Sequence, residues 1–301
     1  MANLCNLNGV IAPEEKTSIP VLDRGFLFGD SIYEVVETIG GVPFALPEHL
    51  ERLRGSADGL QMKLDVSDET LLRRLAETLQ QAKHPESYVR FVITRGVGSA
   101  PNIDAAYAKG PCNVLIFVRA LPDLSGSEGN LAIIQRLRND RRALDPACKT
   151  GNYLNNVLGL MEAKAAGAAD ALFRNTAGYL TEASTSNIWI VRDGVLLTPP
   201  LSAGILAGVT RRLLLDMCAE EKIPCAEKDI TKAEICSAPE VFTTSTLKHV
   251  LPITKLDGKP VGDGRPGKIT TGIKTRFAAW CRRRHETVYV PAWAEYRANQ
   301  A

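Results

Sequence analysis

Apolar residues follow two rhythms along this chain. An opening strand is expected over "LCNLNGVIA" (4–12), followed by a turn-like "DRGFLFGDS" and then "IYEVVETIGGVPFAL", two short strands joined at Gly40-Gly41. Leu50, Leu53, Ala57 and Leu60 recur at helical spacing within 48–60, and a second helix is expected over 69–83. "SYVRFVITRG" alternates instead: Val89, Phe91 and Ile93 share one face, and Tyr88, Arg90, Val92 and Thr94 the other. "CNVLIFVRA" reads as a more uniformly apolar strand, and the polar "LPDLSGSEGN" after it as a linker.

The second half opens on a strand at "LAIIQ". A helix over 152–166 follows, closed by Gly167 where a left-handed cap is favoured. Strands are expected at "DALFRN", "SNIWIVRDG", "VLLTP" and "PEVFTTST", and helices at "GVTRRLLLDMCAEE" and "TTGIKTRFAAWCRR". The elements mix without the strict alternation of a doubly wound sheet, so an α+β, two-domain architecture is expected. Its parts are a smaller N-terminal α/β domain (1–120), a linker (121–130) and a larger C-terminal domain (131–301).

Composition narrows the function. The 301 residues, 45% hydrophobic, suffice for a sizeable core. With 36 Lys+Arg against 34 Asp+Glu there is no basic excess for nucleic acid or an anionic membrane, and "RRRH" (282–285) reads as a solvated helix end. Seven scattered cysteines form no C-x-x-C, a pattern of reduced thiols rather than a disulfide framework or zinc site. The N-terminus carries no basic-then-apolar signal and no apolar run approaches membrane-spanning length; a soluble, cytoplasmic protein is expected.

Two phosphate-binding motifs are imitated and not met. "RGVGSAP" places Pro101 where the last glycine of G-x-G-x-x-G belongs, and "GDGRPGKI" places Ile269 where a magnesium-binding hydroxyl is needed. Histidines 49, 84, 249 and 285 are too dispersed for a metal site. Several singular residues remain. Lys149 precedes the helix that is expected to carry Tyr153, and Glu182 stands in "GYLTEASTSN" between a Gly turn and a strand. Gly208, Val209 and Thr210 mark a helix N-terminus, a natural anion site, and "TTSTLKH" is a second possible anion cradle. Each also has an ordinary structural reading, as a surface acid, a turn former or a cap.

Together these residues resemble the class IV aminotransferases, the fold-type IV pyridoxal-phosphate enzymes. The similarity runs from about Asn8 to Phe277, through "DRGFLFGDSIYE", "EHLERL", "YVRFVITRG", "KTGNYLNNVL", "GYLTEASTSNIW", "TPPLSAGILAGVTR" and "VFTTST" in order. The resemblance implies a D-amino-acid-aminotransferase-like fold with pyridoxal 5′-phosphate between the domains, and a homodimer or higher oligomer. It implies that Lys149 forms the internal aldimine, that Tyr153 lies near the cofactor's phenolic oxygen, and that Glu182 faces the pyridine nitrogen. Arg52, Val209, Thr210 and Thr246 match the phosphate cradle, and Phe28, Tyr33 and Leu247 the substrate pocket.

Within the family the signals are mixed. "DRGFLFGDSIYEV" and "TEASTSN" are similar to the D-amino-acid and R-amine side, yet the Arg-x-His pair of typical D-amino-acid aminotransferases is absent from "RGVGSAPNID". Tyr88 and Arg90 instead resemble the Tyr-x-Arg pair of branched-chain enzymes, whose arginine receives the distal carboxylate of glutamate or 2-oxoglutarate. The expected activity is transamination between an amino donor, first of all a branched-chain L-amino acid, and the keto acid 2-oxoglutarate. D-amino acids or R-amines are the alternative donors, and an aminodeoxychorismate-type lyase the alternative reaction.

Overall fold

The computed structural model describes residues 2–124 and 128–298; positions 125–127 of the expected linker lie outside them. Chain contacts divide the protein into two compact units. The first comprises residues 1–123, 148–153 and 283–301, and the second 124–147 and 154–282.

The first unit is built on an antiparallel six-stranded sheet. Its opening strand is a hairpin rather than one run: β1 (Leu4–Leu7) and β2 (Val10–Pro13) are joined by Asn8 and Gly9. Both turn residues have positive φ, 54° and 101°, which an Asn-Gly pair tolerates and which suits a tight hairpin. The expected turn at 23–31 contains a short helix, α1 (Arg24–Phe28). Asp23 caps it by accepting from the Gly25 N–H at 2.7 Å, and Gly29 ends it at φ 65°.

β3 (Ser31–Ile39) and β4 (Val42–Pro43) meet at Gly40-Gly41 as expected. Helices α2 (Leu46–Gly59) and α3 (Asp68–Ala82) come next, then β5 (Ser87–Thr94) and β6 (Asn113–Ala120), giving the order β2-β1-β6-β5-β3-β4. The helices pack on one face of the sheet, where Ile32, Val36, Val89, Phe91 and Ile93 meet Leu50, Leu53, Leu71 and Leu75. The alternation expected of β5 holds, with Val89, Phe91 and Ile93 buried and Tyr88, Arg90 and Val92 half-buried on the other face.

The second unit carries a nine-stranded mixed sheet. In chain order it contains β7 (Gly129–Leu137), α4 (Leu154–Ala165), β8 (Asp170–Arg174), β9 (Leu180–Ala183), β10 (Asn187–Arg192) and β11 (Val195–Thr198). These are followed by α5 (Val209–Glu220), β12 (Cys225–Glu227), α6 (Lys232–Cys236), β13 (Glu240–Ser245), β14 (His249–Leu256), β15 (Lys259–Pro260) and α7 (Lys268–Arg284). Strand order is β12-β11-β10-β13-β14-β7-β8-β9, with β15 beside β14. β9 also pairs with β10 through Glu182 and Asn187, which closes the strands from β10 to β9 into a ring. Glu182 thus lies on a strand, not ahead of one. A π-helical turn, His285–Tyr289, leads to α8 (Val290–Ala298), both part of the first unit.

Gly159 lets α4 sit against the sheet, because a Cβ there would lie 2.2 Å from Phe173 Cζ. Gly272, exposed within α7, has nothing within 4 Å of such a Cβ. Alanine at these two positions should therefore act with opposite sign in urea unfolding. Gly159→Ala should destabilise by about 1–3 kcal/mol through overpacking, and Gly272→Ala should stabilise by up to about 1 kcal/mol through helix propensity. Midpoints that moved in the same direction would contradict this account of Gly159.

Candidate active site

In the first unit, Lys149 is held by its backbone. Its carbonyl accepts from the Tyr33 N–H at 2.9 Å, and its N–H donates to Ser56 Oγ of α2 at 3.0 Å. The Gly151 N–H donates to the Ser31 carbonyl at 2.8 Å, an approach that needs glycine because a Cβ would lie 2.2 Å from Ser31 Oγ. Residues 149–151 so extend the pairing of β3. Lys149 Nζ donates to the Tyr33 hydroxyl at 3.1 Å and stands 4.2 Å from the centre of its ring. Tyr153 meets Tyr33 edge-on, ring centres 5.4 Å apart. Burial foremost, and then Tyr153, push the Tyr33 phenol far above its ordinary value, so it stays protonated.

Arg90 completes this cluster. In the β3–β5 register Tyr33 faces Val92 and Val35 faces Arg90, so Tyr33 and Arg90 are diagonal neighbours on one face. The Arg90 guanidinium stacks over the Tyr33 ring at 4.1 Å and has no ion-pair partner among the described residues. Tyr88 is half-buried on the same face, opposite Glu37. Phe28 ends α1, half-buried, beneath the Arg24 guanidinium at 5.0 Å.

Glu34 points to the opposite face of β3, toward α2. Arg52 clamps it with Nε 2.7 Å from Oε1 and Nη2 2.8 Å from Oε2, and His49 Nδ1 lies 2.7 Å from Oε2. Burial pushes the Glu34 carboxyl up, but Arg52 and His49 outweigh it and hold it well below the usual carboxylate range. For His49 burial prevails over Glu34, and the imidazole is held below its ordinary value. The ionised carboxylate only accepts, so the neutral ring carries its proton on Nδ1.

In the second unit, Glu182 Oε1 pairs with Arg138 Nε at 2.9 Å, and Oε2 accepts from the Leu206 N–H at 2.9 Å. Asn187 Nδ2 lies 3.4 Å from Oε2 and donates to the Leu206 carbonyl at 3.0 Å. Arg138 Nη1 also donates to Asn155 and Asn156 at the start of α4. Gly208 caps α5 without a side-chain acceptor, ahead of buried Val209 and Thr210. A Cβ at Gly208 would lie 2.0 Å from Asn187 Oδ1. Thr246 and Leu247 occupy the turn between β13 and β14, half-buried.

The structure brings Lys149, Tyr33, Tyr153 and Arg90 together, with Arg52 secured by Glu34. α4 begins at Leu154, so Tyr153 lies just ahead of that helix rather than on it. Sequence reasoning missed Glu34, His49 and Arg138. An acid between the apolar neighbours Tyr33 and Val35 of β3 and the i, i+3 pair His49/Arg52 were signals for the first two; Arg138 carried none.

A family model described as amino-transferase class IV matches residues 31–256. A Methanocaldococcus jannaschii protein provisionally named a branched-chain-amino-acid aminotransferase is 35% identical over 90% of this chain and 94% of its own length. A D-alanine aminotransferase of Bacillus licheniformis is 32% identical over 89% of this chain and 93% of its own. The T.th. branched-chain amino acid aminotransferase, solved with N-(5′-phosphopyridoxyl)-L-glutamate, superposes with a TM-score of 0.84 at 26% identity. The match covers 94% of this chain and 95% of that one.

The buried, neutral His49 makes stability depend on pH. Its folded value lies below the unfolded one of about 6.5, so as pH falls the unfolded chain gains a proton that the folded chain resists. The urea midpoint should drop between pH 7.5 and 5.5, and the drop should shrink in His49→Gln. An equal drop in both proteins would assign it to other groups.

Proposed function

Because this chain belongs to the class IV aminotransferases, which work with pyridoxal 5′-phosphate, we propose that it transfers amino groups between branched-chain L-amino acids and 2-oxoglutarate. The observation that carries this reading is Arg90, a guanidinium beside Tyr33 and Lys149 with no ion-pair partner among the described residues. A second carboxylate on the keto acid would supply that partner. The T.th. enzyme, with its glutamate adduct, supports the same acceptor.

The residues present fit the cofactor. Lys149 offers an amine beside a neutral phenol, and would hold the cofactor covalently. The Gly208 cap leaves first-turn N–H groups of α5 without a side-chain acceptor, which suits a phosphate dianion. Val209, Thr210, Thr246 and the Arg52 guanidinium would share that phosphate. Glu182, oriented by Arg138 and the Leu206 N–H, would face the pyridine nitrogen and keep a proton there. Tyr153 would lie near the phenolic oxygen.

When bound, pyridoxal phosphate supplies an electron sink for the pair left as the substrate's Cα proton departs. Lys149 Nζ is the base that takes this proton and later returns it. Between transfers the Tyr33 hydroxyl accepts a hydrogen bond from that amine at 3.1 Å and keeps it in place. Arg90 and Tyr88 bind the distal carboxylate, while Phe28, Tyr33 and Leu247 shape the pocket around the side chain.

Similarity to a D-alanine aminotransferase favours a second reading, with D-amino acids as donors and Arg90 on the α-carboxylate. A homodimer is proposed as well, supported by the exposed apolar side chains of Val21, Phe26 and Ile103, 75%, 69% and 82% accessible. The dispersed free thiols favour a reducing, cytoplasmic setting. No helix among the described residues is long and apolar enough to cross a membrane.

Arg90→Ala separates the two donor readings. It removes a charge-assisted contact worth about 1.5–3 kcal/mol, so the KM for 2-oxoglutarate should rise roughly ten- to hundredfold. Monocarboxylate keto acids should be affected much less. Equal losses for both substrate classes would instead place Arg90 on the α-carboxylate. Lys149→Ala should retain its fold by circular dichroism and lose transamination almost entirely; substantial residual activity would remove Lys149 from its role.

A further inference from the structure

The C-terminal segment 283–301 belongs to the first unit, and α8 closes one side of a cavity there. The cavity holds about 360 Å³ and lies between β4, α2, the first turns of α3 and α8. Its walls are packed in place. Trp293 of α8 rests against the hydrophobic core of this unit. Just ahead of α8 the Tyr289 hydroxyl donates to Glu48 Oε1 of α2 at 2.6 Å, and Phe44 meets the Tyr289 ring edge-on, centres 5.2 Å apart. A preformed cavity of this size falls within the range of small-molecule sites, ~300–1,000 Å³.

The lining combines two characters. Pro43, Leu46, Pro47, Leu50 and Leu72 form an apolar floor. Trp293 and Tyr296, ring centres 5.6 Å apart, add aromatic surface. Glu51 and Asp68 add carboxylates, and no basic side chain is among the described residues that line the cavity. Arg54 binds Asp68 through Oδ1, with Nε at 2.9 Å, which leaves Oδ2 without a donor among the described residues. The Tyr296 hydroxyl is buried and likewise has no hydrogen-bond partner there, a condition rare for a buried polar group. Apolar surface, aromatic rings and negative charge in one cavity select an organic cation over a neutral or anionic molecule.

We propose that this cavity binds an apolar ammonium ion. Its hydrocarbon part lies on the leucine and proline floor, and its charge is held by Glu51, Asp68 and the aromatic rings. On α2, Leu46, Pro47, Leu50 and Glu51 face the cavity, while His49, Arg52 and Ser56 project from the opposite side of the helix. The site is therefore separate from the residues assigned to the cofactor, yet it bears on the helix that holds the Lys149 backbone. The inference does not depend on the donor and acceptor assigned above.

Benzyltrimethylammonium is the probe, because a quaternary ammonium has no N–H with which to condense with the cofactor's aldehyde. Titrated into the holoenzyme by calorimetry, it should bind at a single site per chain, more weakly as salt is raised. Its near-isosteric neutral counterpart, 2-methyl-1-phenylpropan-2-ol, should bind roughly fivefold more weakly. Ala292→Lys puts a competing ammonium into the cavity from an exposed position of α8 and should weaken the probe roughly tenfold or more. Glu51→Gln, which removes charge and little volume, should weaken it roughly threefold. Both variants should keep the circular dichroism of the wild type. No saturable binding to the wild type overturns the proposal, and so does unchanged affinity in Ala292→Lys. Equal affinity for the alcohol overturns the choice of a cation.

Discussion

A carboxylate with no access to water governs how the first unit is put together. Glu34 is fully buried, and an ionised group in that position costs several kcal/mol unless matched by partners of good geometry. Arg52 and His49 supply them from successive turns of α2. β3 and α2 can then meet in only one register, since a shift of one residue would leave the charge facing apolar neighbours. Lys149 inherits its position from that register, because its backbone is bonded to Tyr33 of the strand and to Ser56 of the helix.

The second unit solves a similar problem without a histidine. Both oxygens of Glu182 are occupied, one by Arg138 and one by the Leu206 N–H, and Asn187 spans the remaining gap. The same two residues, Glu182 and Asn187, form the only pairing between β9 and β10 among the described residues. The acid is therefore immobilised by strand pairing as well as by its polar partners. Gly208 belongs to this arrangement, since Asn187 occupies the space that any side chain there would need.

Much of this is legible in the sequence. Leu50, Leu53 and Ala57 mark the buried side of α2, and the alternation of β5 separates Val89 and Phe91 from Tyr88 and Arg90, because both patterns are local and periodic. The split of the opening strand was also within reach, as Asn8-Gly9 is a strong hairpin signal that an apolar run concealed. What stayed hidden depends on partners distant in the chain. Residues 149–151 pair with β3 more than a hundred positions earlier, and nothing around Lys149 announces it. Arg138 acquires its meaning only from Glu182.

β3 has two faces with different obligations. Ile32, Glu34 and Val36 look toward the helices, where any exchange disturbs the packing or the buried charge. Tyr33, Val35 and Glu37 look the other way, next to Val92, Arg90 and Tyr88 of β5. Mutation can therefore explore alternate positions of the same strand under separate constraints, one set answering to folding and the other, under the function proposed above, to recognition. A lineage could exchange one class of small molecule for another by changing every second residue, while the interlocked positions between them keep the fold intact. Under that function, a change in what such a chain recognises would follow from the period of a β-strand.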